Sequence, residues 1–470
     1  MRDVAEFLPA WLAGALPDWP SWAVNLMVYT GGLLALVSTV TMLHSSHTSA
    51  ATSSTTTADD AALRSKFGKF RRKFITVYLV IMLADWMQGT HMYTLYLSYG
   101  VNVGALFLTG FLSGAVFAPF LGSLVDKYGR KRSCIVYCVL EIIINTLEHS
   151  HDFKILVLGR VLGGISTNLL FSAFESWMTT QHRKLGFPEE WLSITYAQSS
   201  IGNGATAILA GIVAQLLEDQ FGHIGPFQGA IALTVLALIL ILSWEENYGD
   251  TDDKSASNSL YAQFIEGWGA TVRNSEIWRI GMVQGLSEGA MYTFVFMWVP
   301  TLLSLDPPGG LPTGCVFSAL MAAITLGGIM FPYLQSAAGY LSPSHPTETA
   351  AACTYFVAAA SMFTPAVCMY LSKNVFGVVL VSFLVCELCV GLFMPAAGTL
   401  RSKYVPDALQ GSILNIFRLP LNTFVVAGTY ATDIMDPPKV FALVGMWFFC
   451  AGILQLTLVG GGGGKKTKKE

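Results

Sequence analysis

Charged side chains are scarce in this sequence. Only 12% of its 470 residues are Asp, Glu, Lys or Arg, against roughly 25% in soluble domains. The mean hydropathy is +0.54, and the net charge of −3 gives no reason to expect a nucleic-acid partner. This composition indicates a membrane protein with many spans. No Asn-x-Ser/Thr acceptor for glycosylation is present.

Motifs for chemistry on a substrate are also absent. The chain has no phosphate-cradling P-loop, no nucleophile elbow and no HExxH motif. The eight cysteines lie mostly in apolar runs, as at Cys386 and Cys389, which indicates small buried side chains rather than disulfides or a zinc site. We therefore expect no enzyme activity, no metal and no cofactor.

Long apolar runs, by contrast, are abundant. A helix needs about 20 mainly apolar residues to cross a membrane. Thirteen such runs are present: 22–43, 74–97, 103–124, 132–148, 153–178, 193–217, 226–244, 278–303, 313–337, 350–371, 375–398, 411–434 and 438–459. The first is too long for a signal peptide and lacks its basic start. The predicted fold class is an all-α membrane protein with two six-helix bundles and one extra N-terminal transmembrane helix.

This pattern predicts the domain boundaries. They are 1–43 for the extra helix, 44–73 for a cytoplasmic linker with a basic end, 74–244 for the first bundle, 245–277 for a cytoplasmic connector, 278–459 for the second bundle and 460–470 for a basic tail. The Ser/Thr/Ala-rich start of the linker is expected to be disordered. The connector fits either an amphipathic interfacial helix or a partly disordered linker.

Basic residues indicate the orientation. They concentrate at 64–73, 122–132, 182–184, 401–403 and 465–469, and alternating spans place all these segments on one side. The positive-inside rule makes that side cytoplasmic. We expect a multi-pass protein of the cell membrane with its N-terminus outside and its C-terminus in the cytoplasm.

The two sets of six helices share a short sequence repeat. Met92-Tyr93-Thr94 aligns with Met291-Tyr292-Thr293 at the same depth of the first helix in each set. Transporters built from parallel repeats bind substrate near the midplane between their halves. We therefore expect a transport site there.

Particular segments resemble a known family. Residues 122–132, GSLVDKYGRKR, look like the signature loop of the major facilitator superfamily, which joins its second and third core helices. Residues 84–89, 163–167, 171–177 and 418–422 resemble the molybdate-anion transporter family of that superfamily, and the resemblance covers essentially 70–460. It implies a secondary active importer of molybdate or a related tetrahedral oxyanion, working by alternating access.

Four residues of the signature loop are expected to act in gating. Gly122 would allow close helix approach, and Gly129 would permit the tight turn. Asp126 can pair with Arg130 and, by the family pattern, with the N-terminus of the helix that starts near Ser412. The alternative is that these charges only anchor the loop in the cytoplasm.

The expected substrate ligands lie within the spans, where an ionisable residue costs about 2.5–3.5 kcal/mol and is functional by default. Asn415, Arg418 and Asn422 share one helix face, and their donors suit a tetrahedral oxyanion. A salt bridge from Arg418 to a carboxylate is the alternative. Arg160 is either a second anion ligand or a partner of Asp85. The further candidates are Gln88, Tyr93 and Asn203.

Four carboxylates, Asp85, Glu175, Glu288 and Glu387, are the candidates for proton coupling. A dianion entering a cell that is negative inside is opposed by about 2.3 kcal/mol per charge per 100 mV, so its uptake needs a compensating cation. Glu175 lies near a helix end, where solvation at the interface is an equal alternative. Glu141 is expected to be a structural pair. The expected partners are the oxyanion, protons and the lipid bilayer.

Two other functions remain open. The fold alone does not fix the substrate, so a proton-coupled carrier of sugars or small organic solutes is possible, especially if Arg418 is salt-bridged. A non-transporting membrane receptor is the second alternative, and it would bind its partners through 44–73 or 245–277.

Overall fold

A computed structural model describes residues 19–49, 58–248, 256–371, 375–406 and 410–460. Within these ranges the chain forms fourteen α-helices and no strands. In chain order they are α1 (Ser21–Ser49), α2 (Ala58–Ser98), α3 (Val103–Tyr128), α4 (Arg130–Leu147), α5 (Phe153–Lys184), α6 (Glu190–Phe221), α7 (Gly225–Leu242), α8 (Ala256–Arg273), α9 (Ser275–Ser304), α10 (Thr313–Leu341), α11 (Pro346–Leu371), α12 (Phe376–Tyr404), α13 (Gln410–Ile434) and α14 (Pro437–Gly460).

Eight described helices are long and apolar enough to cross a membrane by length and composition: α1, α5, α6, α7, α10, α11, α12 and α14. The other predicted spans fall in α2, α3, α4, α9 and α13. Four of these helices carry the mid-span charges of Asp85, Glu141, Glu288 and Arg418. The helices that are least suited to lipid by composition therefore hold many of the candidate functional residues.

The helices group into two compact units. Unit 1 contains α2–α7 and the segment Pro312–Ser318, and unit 2 contains α8, α9, the rest of α10 and α11–α14. In each set of six, the first helix packs against the fifth and sixth, and the third packs against the fourth and sixth. The two sets therefore share one packing pattern, as the sequence repeat predicted.

Glycine brings the second and fourth helices together in each unit. In unit 1, a Cβ atom added to Gly164 of α5 would lie 2.7 Å from the Gly110 carbonyl oxygen of α3. In unit 2, a Cβ added to Gly327 of α10 would lie 3.0 Å from the backbone nitrogen of Leu392 in α12. Both crossings depend on bare backbone in close contact.

The basic end of the predicted linker is helical. Residues 64–73 belong to α2, which continues without a break into the first core span. Phe67 and Phe70 are buried, and their rings lie 5.4 and 5.7 Å from the ring of Phe187. This apolar stripe is the physical reason why the helix begins before the membrane span. Residues 50–57 of the linker lie outside the described residues.

A helix also occupies much of the predicted connector. Ile265, Trp268 and Val272 of α8 are exposed along one side, and within unit 2 the helix packs against α9 and α13. An exposed apolar stripe of this kind fits a helix at a membrane interface better than a disordered linker. Residues 249–255 lie outside the described residues.

We predict that Gly164→Ala destabilises the protein by about 1–3 kcal/mol, because the added methyl group must force α3 away from α5. Thermal unfolding of the purified protein in detergent measures the loss as a lower Tm. Gly163→Ala is the matched control, since a Cβ there meets nothing closer than the Arg160 guanidinium carbon at 4.0 Å. Equal losses of Tm for the two variants would contradict this account of the crossing.

Candidate functional site

The signature loop joins α3 to α4 in unit 1. Asp126 Oδ1 accepts hydrogen bonds from Nε and Nη2 of Arg130 at 2.9 and 2.7 Å. Arg130 also donates to the carbonyl of Ser176, at 3.3 Å, and to the hydroxyl of Thr180. Gly129 has φ of +107°, which favours glycine. The pairing of Asp126 with Arg130 and the glycine turn expected from the sequence are both present.

Two glutamates that follow α7 bind the basic end of unit 1, although they were expected to open the connector. Glu246 accepts hydrogen bonds from the backbone N–H groups of Lys131 and the next residue at 2.8 and 3.1 Å, so it caps α4. Glu245 accepts hydrogen bonds from Gln181 and Lys184 at 3.2 Å each. Those bonds hold the pKa of Glu245 below its ordinary value, so it stays ionised beside the basic loop.

Three expectations fall on side chains outside those that the structure describes. Gly122 and Asn415 lie in helical backbone, in α3 and α13, but the surroundings of Gly122 and the side chain of Asn415 are outside what the structure describes. The same holds for Ser412, near the expected second partner of Asp126. These roles stay predictions.

A buried polar cluster surrounds Glu141 in unit 1. Its carboxylate accepts hydrogen bonds from Gln88 at 3.0 Å, Ser166 at 2.6 Å and Asn145 at 3.3 Å. Gln88 was expected to face the substrate, but it is 7% exposed and donates to Glu141 instead. A buried carboxylate requires such donors. Glu141 therefore belongs to a structural cluster, as expected, and Gln88 belongs to it as well.

Arg160 forms a second buried cluster. Its Nη2 lies 2.5 Å from Glu148 Oε1, and the Tyr96 hydroxyl donates to the same oxygen at 2.9 Å. Glu148 is 1% exposed. Of the two roles left open for Arg160, partnership with Asp85 is wrong, because Glu148 occupies that place. A guanidinium that is already paired with a buried carboxylate has little charge left for a second anion.

The remaining candidates of unit 1 are less enclosed. Asp85 and Tyr93 are half-buried, and Asp85 makes no hydrogen bond or ion pair with another described residue. Asn203 accepts a hydrogen bond from Trp86 Nε1 at 2.9 Å, which leaves its amide N–H groups to donate. Glu175 is exposed on α5, nine residues before the helix ends at Lys184, and the choice between coupling and interfacial solvation stays a prediction.

In unit 2, Arg418 and Asn422 are exposed on α13. Gly285 and Gly289 of α9 lie against Pro420 and Phe424, so a different face of α13 makes the helix contact. Within the described ranges, Arg418 makes no hydrogen bond and no ion pair. The alternative of a salt bridge from Arg418 to a carboxylate is not formed there, although the charge of Arg418 interacts with that of Glu288 on α9.

Two carboxylates of unit 2 differ in their surroundings. Glu288 is half-buried, and the nearby Arg401 donates to Gln284 at 3.1 Å. Glu387 of α12 is only 3% exposed, and no described residue binds it by a hydrogen bond or an ion pair. Burying an ionised carboxylate without a partner costs free energy, so Glu387 stays a candidate for a functional role.

Comparison with known proteins gives the family. A family model described as sugar transporters with 12 transmembrane segments matches residues 26–392. The molybdate-anion transporter of Xenopus tropicalis is 32% identical over 420 residues, which cover 87% of this chain and 89% of that protein. The molybdate-anion transporter of Danio rerio is 32% identical over 390 residues, covering 78% and 79%. The chain belongs to the molybdate-anion transporter family.

The fold of this family member is that of the major facilitator superfamily. The crystal structure of the nucleoside transporter NupG matches with a TM-score of 0.63 and 14% identity, over 83% of this chain and 98% of that one. The prediction of fold and superfamily from the signature loop is therefore confirmed. A family of transporters points to a membrane transporter and not to an enzyme.

Two carboxylates that pair with other buried side chains, Glu148 and Glu218, were not predicted from the sequence. Glu148 lies at the end of α4, beside a predicted outer loop, where a solvated side chain is the usual expectation. One signal was available: Arg160 required a partner, and Glu148 is 12 residues away across a short loop. His91 was not among the candidates predicted from the sequence, and it is fully buried with its Nε2 2.8 Å from Glu218.

Proposed function

We propose that this member of the molybdate-anion transporter family imports molybdate or a related tetrahedral oxyanion, by alternating access and with protons. The observation that supports this proposal best is Arg418, an exposed arginine within a predicted span that makes no direct hydrogen bond or ion pair with the described residues, although its charge interacts with that of Glu288 on α9. The names of the relatives, molybdate-anion transporters, support the substrate class.

The energetics of Arg418 favour a wet site over lipid contact. It lies about 12 Å from the start of α13, at 1.5 Å per residue, and a bare arginine at that depth costs about 2.5–3.5 kcal/mol. Water or an anion beside the exposed face would remove this cost. Asn422 follows by four residues on the same face and adds amide donors. A guanidinium with neighbouring amides suits an oxyanion, whose oxygens accept several hydrogen bonds.

The other proposed ligands rank behind this pair. Asn415 shares the face of Arg418 by helical spacing. In unit 1, Asn203 and Tyr93 stay candidates because both are half-buried and keep donors available. Arg160 is assigned a structural role because it is paired with Glu148.

Asp85, Glu288 and Glu387 are the residues that would bind the co-transported protons. Asp85 and Glu387 make no ion pair among the described residues, so each is free to gain or lose a proton. Entry of a dianion against a negative interior is opposed by about 2.3 kcal/mol per charge per 100 mV, and co-transported protons offset that cost. Glu175 is exposed and is the weakest candidate.

Gating would involve the signature loop. The Asp126–Arg130 pair and its bonds to α5 form one compact contact that must change if this end of unit 1 opens. The basic residues of α2, of the loop and of the end of α5 lie with it, since Lys73 donates to the carbonyl of Ser243 near Glu245. By the positive-inside rule we assign this end to the cytoplasm of a cell membrane, with the N-terminus outside.

A sugar carrier is the second candidate, because the matching family model is described as sugar transporters. It requires that Arg418 serve a role other than anion binding. Substrate competition separates the two: a sugar carrier would be inhibited by sugars and indifferent to oxyanions.

We predict that Arg418→Gln lowers molybdate uptake into proteoliposomes by about 10- to 100-fold at low substrate, because losing a charge-assisted partner costs about 1.5–3 kcal/mol. Arg279→Gln is the matched control: Arg279 is also on unit 2, but binds Thr457 and Ser275. Normal uptake by Arg418→Gln, in correctly folded protein, would contradict the assignment.

Glu387→Gln should abolish the stimulation of uptake by an inward pH gradient, because an amide at this buried position cannot take up a proton. Counterflow, the exchange of labelled for unlabelled molybdate, should persist since it moves no net protons. The comparison variant is Glu276→Gln, an exposed glutamate in the first turn of α9. An unchanged pH response in Glu387→Gln would exclude this residue from coupling.

A further inference from the structure

Three titratable side chains form a line at the end of unit 1 opposite the signature loop. His223 lies in the turn between α6 and α7, and its side chain is 48% exposed. Glu218 lies in the last turn of α6 with a side-chain exposure of 13%, and His91 of α2 is 0% exposed. Exposure therefore falls step by step from solvent to interior along these three residues.

Glu218 bridges the two rings with separate oxygens. His223 Nδ1 is 2.5 Å from Glu218 Oε1, and His91 Nε2 is 2.8 Å from Glu218 Oε2. The distance to His91 is that of an ion pair, but its angles are not those of a hydrogen bond, and Nδ1 of His91 is buried without a partner. A buried imidazole in this state keeps its capacity to accept and donate a proton.

Neighbouring groups hold the bridge in place. Gln215 donates to the Glu218 carboxylate at 3.1 Å, and its own carbonyl oxygen accepts from the Gly314 N–H at 2.8 Å. Gly222 has φ of +74°, and its N–H donates to the carbonyl of Glu218 at 2.7 Å. That glycine turn brings His223 back over the carboxylate. Such support would be needless for a side chain that merely faces water.

We propose that His223, Glu218 and His91 form the path by which protons reach the interior of unit 1 from outside. The inference rests on the proton coupling proposed above. Imidazole suits this task because its ordinary pKa, about 6.5, permits loading and release near neutral pH.

Each transfer is balanced. A proton from water binds His223 Nε2, and the proton on Nδ1 passes to Glu218 Oε1. After the carboxyl group rotates, it gives that proton to His91 Nε2, and His91 Nδ1 passes its own proton to a water molecule on the inner side. Both imidazole rings then turn over, which restores their starting tautomers. One proton enters and one leaves, and the path ends about 9 Å along α2 from Asp85.

Glu218 contacts His91 directly, whereas other charged groups of unit 1 have partners of their own. Asp219, next along α6, accepts from Gln215 at 3.0 Å. On α5, Arg160 is paired with Glu148. On α4, Glu141 is held by its own donors.

The test uses proteoliposomes containing the full chain, with labelled molybdate as the probe. We expect His223→Ala and Glu218→Gln to lower uptake driven by an external acid pulse by about 100-fold, the lower range for a positioned proton-transfer group. Counterflow of molybdate should remain, because exchange needs no net proton movement. External imidazole should restore gradient-driven uptake in His223→Ala, since His223 is half-exposed.

His151→Ala is the matched control: His151 lies at the same end of unit 1, stacks on Tyr99 at 4.0 Å and contacts no carboxylate among the described residues. It should behave like the wild type. Full gradient-driven uptake in His223→Ala and Glu218→Gln would overturn the path and leave the transport proposal intact. Loss of counterflow together with uptake, without rescue by imidazole, would overturn it in favour of a structural role. A wild type that transports molybdate but ignores the pH gradient would remove the coupling proposal itself.

Discussion

An arginine inside a membrane-spanning helix keeps its charge, so the protein must supply a counter-charge or a wet surface. Arg160 has a counter-charge in Glu148, which is 1% exposed. Arg418 makes no direct ion pair among the described residues, although Glu288 of α9 interacts with its charge, and it lies exposed on α13. The proposed substrate class follows from this contrast, because an anion from outside would supply the direct ion-pair partner that Arg418 lacks among the described residues.

The buried carboxylates divide in the same way. Glu141 and Glu148 are each held by several donors, which assigns them structural roles. Asp85 and Glu387 have no such donors among the described residues. Glu218 stands between these classes, since it contacts two imidazole rings, of which one is buried and the other is half-exposed. The number of hydrogen bonds to a carboxylate, more than its depth in the membrane, thus distinguishes the structural carboxylates from those proposed to carry protons.

The fold was predictable because long apolar runs and the GSLVDKYGRKR loop are local signals. The site was only partly predictable. Helical spacing placed Arg418 and Asn422 on one face, but it cannot show which distant carboxylate meets Arg160 across a loop. Gln88 was misplaced for the same reason, since its partner Glu141 lies on another helix. The spacing of residues along one helix does not predict which polar side chains pair between different helices.

The account depends most directly on the class of ligand that the protein binds. Isothermal titration of the purified protein with molybdate, and separately with glucose, measures this without assuming coupling or orientation. We predict saturable binding of molybdate and none of glucose, because an unpaired guanidinium favours an anion over a neutral solute. Saturable binding of glucose without any binding of molybdate would contradict the account.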